Sequence, residues 1–501
     1  MANRPNILFI LTDDQGAWAL GAAGNREIIT PHLDRLASEG AYLPNFFCAS
    51  PVCSPARASI LTGLPPSQHG IHDWIRSGNV PADRCPKPFM DDTQAIEYLA
   101  GLPTYPQILA DNGYVCGISG KWHLGDSLRP QQGFGYWHVI PYGGSEYYGA
   151  PILRDGQMAI DDGYLTDAIT DGALDFLDRY GEGEAPFYLS VHYTAPHSPW
   201  DADQHPEELR KLYAGCPFAS CPDEGVHPWQ INSAPRGVEE RRRELLTGYY
   251  ASITGVDRGV GQLLAWLDAH GLREETLIVF SGDNGMNMGH HGIWGKGNGT
   301  FPQNMYDTSV KVPFLAAHAG TIPAGVVAHG LCSHYDLLPT LLDYVGLGAA
   351  IPAGLPGRSF AAALRGEAAP AHAHIVIYDE YGPVRMIRSA QWKYVHRYPY
   401  GPHELYDLAH DPDERHNVVD GAGLDGVVAG LRRDLEAWFC RFAAPERDGV
   451  RQPVTGKGQL ARVGPAGEGR TAFAGDWYYI DAEGSRRAHS ARERQNDLRQ
   501  P

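Results

Sequence analysis

Four short apolar runs, each passing directly into chemically capable residues, constrain this chain most. Ile7 to Leu11 leads into Thr12-Asp13-Asp14-Gln15-Gly16, and Val115 to Ile118 leads into Gly120-Lys121-Trp122-His123-Leu124-Gly125. Phe187 to Val191 leads into Thr194-Ala195-Pro196-His197, and Leu277 to Phe280 into Ser281-Gly282-Asp283-Asn284-Gly285. Helical patterns lie between them, at Thr30 to Glu39, Tyr164 to Tyr180, Glu239 to His270 and His334 to Val345. Buried strands alternating with amphipathic helices predict an α/β fold: a large mixed, mostly parallel sheet sandwiched by helices. Such sheets bind ligands beyond the carboxyl ends of their strands. All four polar clusters occupy that position and can share one crevice.

From about Pro370 the texture changes. Ile375 to Tyr378, Val384 to Arg388, Trp392 to Arg397 and Glu404 to Leu408 read as short antiparallel strands linked by Gly, Pro and Asp, followed by a helix from about Leu424 to Phe442. The expected organisation is a catalytic α/β domain over 1–370, a smaller C-terminal α+β subdomain over 371–444 and an extension over 445–501 rich in Gly, Arg and Glu, where Trp477 to Ile480 can dock. With 501 residues, 43% of them hydrophobic, the chain can bury a core of that size.

A net charge of −18 argues against nucleic acid or an anionic membrane as partner. An anionic small molecule is compatible, held in one cleft by local cations. The chain enters the Ile7 run at once, leaving no room for a signal-peptide core, and no run is long enough to span a bilayer; the expectation is a cytoplasmic protein. The eight cysteines follow no framework pattern and are expected to be mostly free thiols. Cys216, Cys221 and His227 lack the further, regularly spaced ligands of a zinc site.

One motif reads locally as an anion site. In Cys53-Ser54-Pro55-Ala56-Arg57, Ser54 suits an N-cap, Pro55 a first helical turn, and Gly63 the left-handed stop of a short helix. Cys53 then sits beside a helix N-terminus, where free N–H groups and the dipole favour negative charge, and Arg57 can reach back to it. Asp13, Asp14, Asp283 and Asn284 offer three carboxylates and an amide oxygen, a hard donor set suited to Ca²⁺ or Mg²⁺. Three carboxylates crowded together without a cation would be driven toward protonation.

Cys53 to Arg57, with its Ala58 to Gly63 tail, resembles the signature of the type I sulfatases of the alkaline-phosphatase superfamily, and matching blocks run in the family's order from Asn6 to about Asn417. The resemblance implies oxidation of Cys53 to formylglycine by a formylglycine-generating enzyme, the hydrated aldehyde being the nucleophile. It implies that Asp13, Asp14, Asp283 and Asn284 hold the metal together with residue 53. Arg57 would stabilise the hydrate. Lys121 and His123, in the G-K-x-H block, would contact the sulfate and hold the second hydroxyl. His197, in the A-P-H block, and Lys296, between Gly295 and Gly297, would complete the set. The implied reaction is attack on sulfur with expulsion of an alcohol that His197 or Lys296 protonates, after which His123 helps to release sulfate.

The implied substrate is a sulfated small molecule or saccharide. The alternatives are an arylsulfatase, a phosphonate or phosphate diester hydrolase of the same superfamily, and a non-catalytic module that binds sulfated glycan. The stretch from His291 to Lys296 favours the carbohydrate-directed members. His72, Asp73, Trp74 and Arg76, soon after the motif, and His291 are the candidate substrate contacts.

Overall fold

The computed structural model describes residues 4–76, 78–79, 95–369, 371–475, 478–480 and 486–488. Cys85 and Trp477 lie outside the described residues. The four runs become the strands Asn6–Thr12, Val115–Lys121, Phe187–His192 and Thr276–Gly282. They stand side by side in the order 276–282, 6–12, 187–192, 115–121, all parallel, inside a ten-stranded mixed sheet. Tyr136–Ile140 continues the parallel run on one side, and Phe314–Ala317 pairs antiparallel with 276–282 on the other.

Both faces of this sheet are covered, which explains the unbroken apolar runs. Ile7, Phe9 and Leu11 pack into one core with the helix Leu337–Tyr344, while Leu8 and Ile10 pack into a second. That second core is roofed by Pro31–Glu39, Leu165–Tyr180 and Glu239–Ala269. Successive strand residues point to opposite faces, so a strand buried on both sides must be apolar throughout.

The C-terminal strands form a four-stranded antiparallel sheet in sequence order, from Ile375–Asp379 to Glu404–Asp407. The helix Asp425–Phe442 buries Leu431, Leu435 and Phe439 against Val376, Tyr378 and Ile387 of that sheet. No helix among the described residues is long and apolar enough to cross a membrane, and the seven described cysteines are free.

Candidate active site

The four parallel strands end in register. Leu11 pairs with His192, Thr12 with Gly282, and Gly120 with His192. Backbone pairing continues past the strand ends, with the Asp283 amide donating to the Thr12 carbonyl at 2.9 Å and the Asp13 amide to the Ala195 carbonyl at 3.2 Å. The four polar clusters are thereby fixed as one layer. Asp14 and His123 both adopt left-handed backbone, at φ 63° and 56°. Non-glycine residues hold that conformation where the surroundings impose it, and here it re-aims the chain at the strand tip.

The motif helix, Cys53–Thr62, is buried over its whole length and ends at Gly63 in left-handed backbone (φ 66°), as expected. Its start differs from expectation. Val52 is the N-cap and Cys53 the first helical residue, so Ser54 does not cap. The Ser54 hydroxyl instead donates to the His123 carbonyl (3.0 Å) and accepts from the Ile75 amide (2.9 Å), tying the helix to two neighbouring loops. Burial on every side leaves no water for a serine in this turn, and these loops supply its partners.

Cys53 Sγ lies 2.9 Å from Lys296 Nζ and 3.3 Å from Asp13 Oδ1. Lys296 Nζ also donates to Asp14, and Lys121 Nζ to Asp13. Arg57 Nε donates to Asp283 Oδ2 at 3.0 Å and one Nη to the Lys121 carbonyl at 3.0 Å. Its other Nη is buried with no hydrogen-bond partner among the described residues.

Carboxylate oxygens of Asp13, Asp14 and Asp283 lie within 4.8 Å of one another, all buried. Burial raises the Asp283 carboxyl to about 7, with Asp13 adding to the effect and Arg57 opposing it. Burial also works on Asp13, but Lys121, His197 and Arg57 outweigh it and hold that group well below the usual range. Asn284 Nδ2 donates to Asp14 Oδ1 (2.7 Å), while its Oδ1 is buried without a partner among the described residues. An orphaned amide oxygen beside three crowded carboxylates, one pushed toward protonation, fits a hard divalent cation.

The Cys53 thiol is pushed up to about 12 by burial, reinforced by Asp13. As a free thiol it would remain protonated and weakly nucleophilic at neutral pH. Lys296 stays charged: burial opposes its proton, but Asp14, Cys53 and Asp13 raise it well above the ordinary lysine value.

The two expected histidines differ in which ring nitrogen is tied to a carbonyl. His123 Nε2 faces the Ile75 carbonyl at 3.0 Å and therefore bears the proton, leaving Nδ1 bare, buried and without a partner among the described residues. Burial, then Lys121 and Arg57, hold His123 well below its usual pKa, so it is a neutral acceptor. His197 Nδ1 donates to the Ser198 carbonyl (2.7 Å), and its Nε2 lies 3.8 Å from Asp14 Oδ2.

A cavity of about 810 Å³ opens over this layer, with Cys53, Asp14, His123, His197 and Lys296 in its lining. Lys121 and Arg57 are buried and outside the lining. Of the candidate substrate contacts only Trp74 lines it. His72 is buried and donates from Nε2 to the Arg447 carbonyl (2.7 Å). Asp73 accepts from the Trp74 and Gly458 amides, and Arg76 is buried with its amide on the Gln459 carbonyl. His291 stacks on Tyr306, ring centroids 3.7 Å apart. These four lie outside the cavity lining: residues 447–459 cover 70–76, and Tyr306 covers His291.

Sequence reasoning missed several contributors. His192 Nδ1 lies 3.0 Å from the Lys121 carbonyl and 3.4 Å from an Arg57 Nη; it directly follows the Phe187 run, and that strand-end position is its signal in the sequence. The Tyr249 hydroxyl donates to the Asp14 carbonyl at 3.0 Å from a distant helix. Phe301, Gln303, Tyr381 and Thr455 to Lys457 line the cavity with no sequence signal to mark them.

Comparison with known proteins agrees with this geometry. The sulfatase family model matches residues 5–347, and the model for the N-sulphoglucosamine sulphohydrolase C-terminal region matches 289–439. The chain is 27% identical over 496 residues to the N-acetylglucosamine-6-O-sulfatase of Bacteroides thetaiotaomicron, covering 84% of this chain and 83% of that protein. It is 30% identical over 438 residues to the ulvan-active sulfatase of Formosa agariphila, covering 83% and 77%. A structure solved with its substrate D-glucosamine-2-N,6-O-disulfate superposes with a TM-score of 0.73 at 24% identity, covering 89% of this chain and 99% of that one. The strand-end layer, with a cysteine heading a buried helix, therefore defines a sulfuric ester hydrolase. This chain belongs to the sulfatase family.

Proposed function

We propose that this chain removes sulfate from a sulfated carbohydrate, using residue 53 as formylglycine and a divalent cation, Ca²⁺ or else Mg²⁺. Asp13, Asp14, Asp283 and Asn284, with residue 53, would hold the cation, which supplies charge neutralisation at the sulfate and acidifies the nucleophile. A formylglycine-generating enzyme is the maturation partner. The observation that carries the reading is the setting of Cys53: a thiol pushed up to about 12, between Lys296 and Asp13, at the floor of a sugar-sized cavity. A side chain so placed gains reactivity by conversion rather than by ionisation.

The protein's own groups divide the work by position. Lys296, in the cavity wall, would bind sulfuryl oxygens whose charge grows during transfer, and Arg57, one helical turn behind residue 53, would stabilise the negative charge of the hydrate. Lys121, on Asp13, keeps that carboxylate ionised for the cation. His197, in the cavity wall with the Nδ1 proton on a carbonyl, would protonate the leaving oxygen from Nε2 in its imidazolium form, with both ring nitrogens bearing protons. His123, neutral with a bare Nδ1, would accept the proton whose loss releases sulfate. The relatives named for sulfated amino sugars and for ulvan support a carbohydrate substrate.

The test is the mass of the peptide containing residue 53, from protein co-expressed with a formylglycine-generating enzyme, followed by turnover of 4-nitrophenyl sulfate and of 6-sulfated amino sugars. A loss of roughly 18 Da with sulfate release is expected. An unmodified cysteine together with undiminished turnover would overturn the assignment of the nucleophile.

A further inference from the structure

Neither family model extends past residue 439, yet the extension beyond it reaches the active site. Thr455, Gly456 and Lys457 form part of the cavity wall, facing a space that also contains Cys53, His197 and Lys296. Their segment is strapped to the 70–76 loop along its length. The Gln459 amide donates to the Trp74 carbonyl (2.8 Å) and the Arg76 amide to the Gln459 carbonyl (3.1 Å). The Gly458 amide donates to Asp73 Oδ2 (3.1 Å), and Trp74 Nε1 to the Gly456 carbonyl (3.4 Å). Gln459 is fully buried, its Oε1 accepting from the His72 amide and its Nε2 donating to the Gly70 and Ala461 carbonyls. Gly456 is in left-handed backbone (φ 71°) and packs on Tyr381, which favours glycine at this turn.

The strap carries one cation, and its charge is unspent. Lys457 Nζ donates to the Gly475 carbonyl and has no carboxylate partner among the described residues. The other lysine in the cavity wall, Lys296, is committed to Asp14 and Cys53. A chain of net charge −18 repels a doubly anionic ligand unless a local cation compensates.

Resting on the carbohydrate-sulfatase reading above, we propose that Lys457 is a specificity-determining residue. It binds a second anionic group, a sulfate or a carboxylate, on the saccharide whose sulfate ester lies at residue 53. Trp74, held by the strap, gives the sugar ring an apolar face.

The experiment is calorimetric titration of the full-length chain carrying Cys53→Ala, which cannot turn substrate over, with and without Lys457→Met or Lys457→Arg. The probes are N-acetylglucosamine 6-sulfate and glucosamine 2-N,6-O-disulfate. The parent is expected to bind the disulfate about tenfold more tightly. Lys457→Met should erase that preference and Lys457→Arg keep it. A disaccharide whose second anion is a uronate carboxylate separates charge recognition from sulfate recognition, a preference for either anion supporting the proposal. Equal affinities in the parent, no binding of either probe, or a preference that survives Lys457→Met would overturn it. Failure of the underlying function reads differently: wild-type protein with formylglycine at residue 53 would then release no sulfate from 4-nitrophenyl sulfate or from any sugar.

Discussion

The floor of the cavity and its rim are built on opposite principles. The carboxylates of the floor come from strand ends and are locked by charge: Asp13 on Lys121, Asp14 on Lys296, Asp283 on Arg57, all buried. The rim is irregular chain drawn from remote segments, with Trp74, Ile231, Phe301, Tyr381 and Lys457 in its lining. Phe301, at 59% exposure, has little to hold it. Charge transfer at a fixed point needs the first arrangement, because pre-positioned charges act without reorganising. Recognition of a sugar tolerates the second, where each contact contributes a modest share of affinity.

The sharpest separation of floor from rim is Cys53→Ala. Turnover should fall on the order of 10⁵-fold while the melting temperature stays within a few degrees, since the floor loses its reactive atom and keeps its ion pairs. Sulfate release and a thermal melt, run side by side, check both halves. Asp283→Ala comes next. It removes a cation ligand and strands the buried Arg57, which costs about 3–5 kcal/mol when one partner of a buried pair is lost. Bound metal, activity and denaturant midpoint should drop together, and chelation of the wild type should reproduce the loss of metal and activity with a smaller fall in midpoint, because Arg57 keeps its partner. A variant that keeps full metal content would refute the ligand assignment.

Smaller losses belong to groups that position or contact. A Cβ on Gly143 would fall 2.2 Å from the His123 ring. Gly143→Ala should therefore lower kcat by about 10²-fold, as expected when a proton-transfer group is displaced. Trp74→Ala at the rim should raise KM about tenfold on a sugar sulfate and change 4-nitrophenyl sulfate much less. An equal effect on both substrates would place Trp74 with the floor.

The same contrast decides what was legible beforehand. The sheet, its flanking helices and the strand-end residues Asp13, Lys121, His197 and Asp283 were readable because an apolar run dictates a strand and its polar successor must sit at the tip. The Ser54 cap was misread because tertiary burial overrides a local preference. His72, Asp73 and Arg76 read as substrate contacts from their own segment, in which nothing shows that residues 447–459 cover them. Lys457 was invisible for the same reason: its place depends on a strap pairing across more than 380 positions, as in Gly458 to Asp73. Contacts of that span leave no periodicity in either segment.

That strap pairing makes one last, purely energetic prediction. Asp73 is fully buried, and burial raises its carboxyl to about 7 even though Tyr381, Gly458 and Trp74 all donate to it. A carboxyl whose folded pKa lies above its unfolded value of 3.8 binds its proton more tightly in the native state. Its contribution to stability is therefore present below about 4 and is lost as pH rises toward 7. The slope cannot exceed ~1.4 kcal/mol per pH unit for one proton. Asp379, pushed up to about 8 by burial and partly by Asp73, acts in the same direction. Asp73→Asn should flatten the fall in stability between pH 4 and 7 through both groups, at the cost of one acceptor for the strap. Denaturant midpoints measured across that range, as the difference between wild type and variant, read the effect directly. A difference that is constant with pH would mean that Asp73 is ionised in the folded protein, which would make its tie to Gly458 an ordinary charged hydrogen bond.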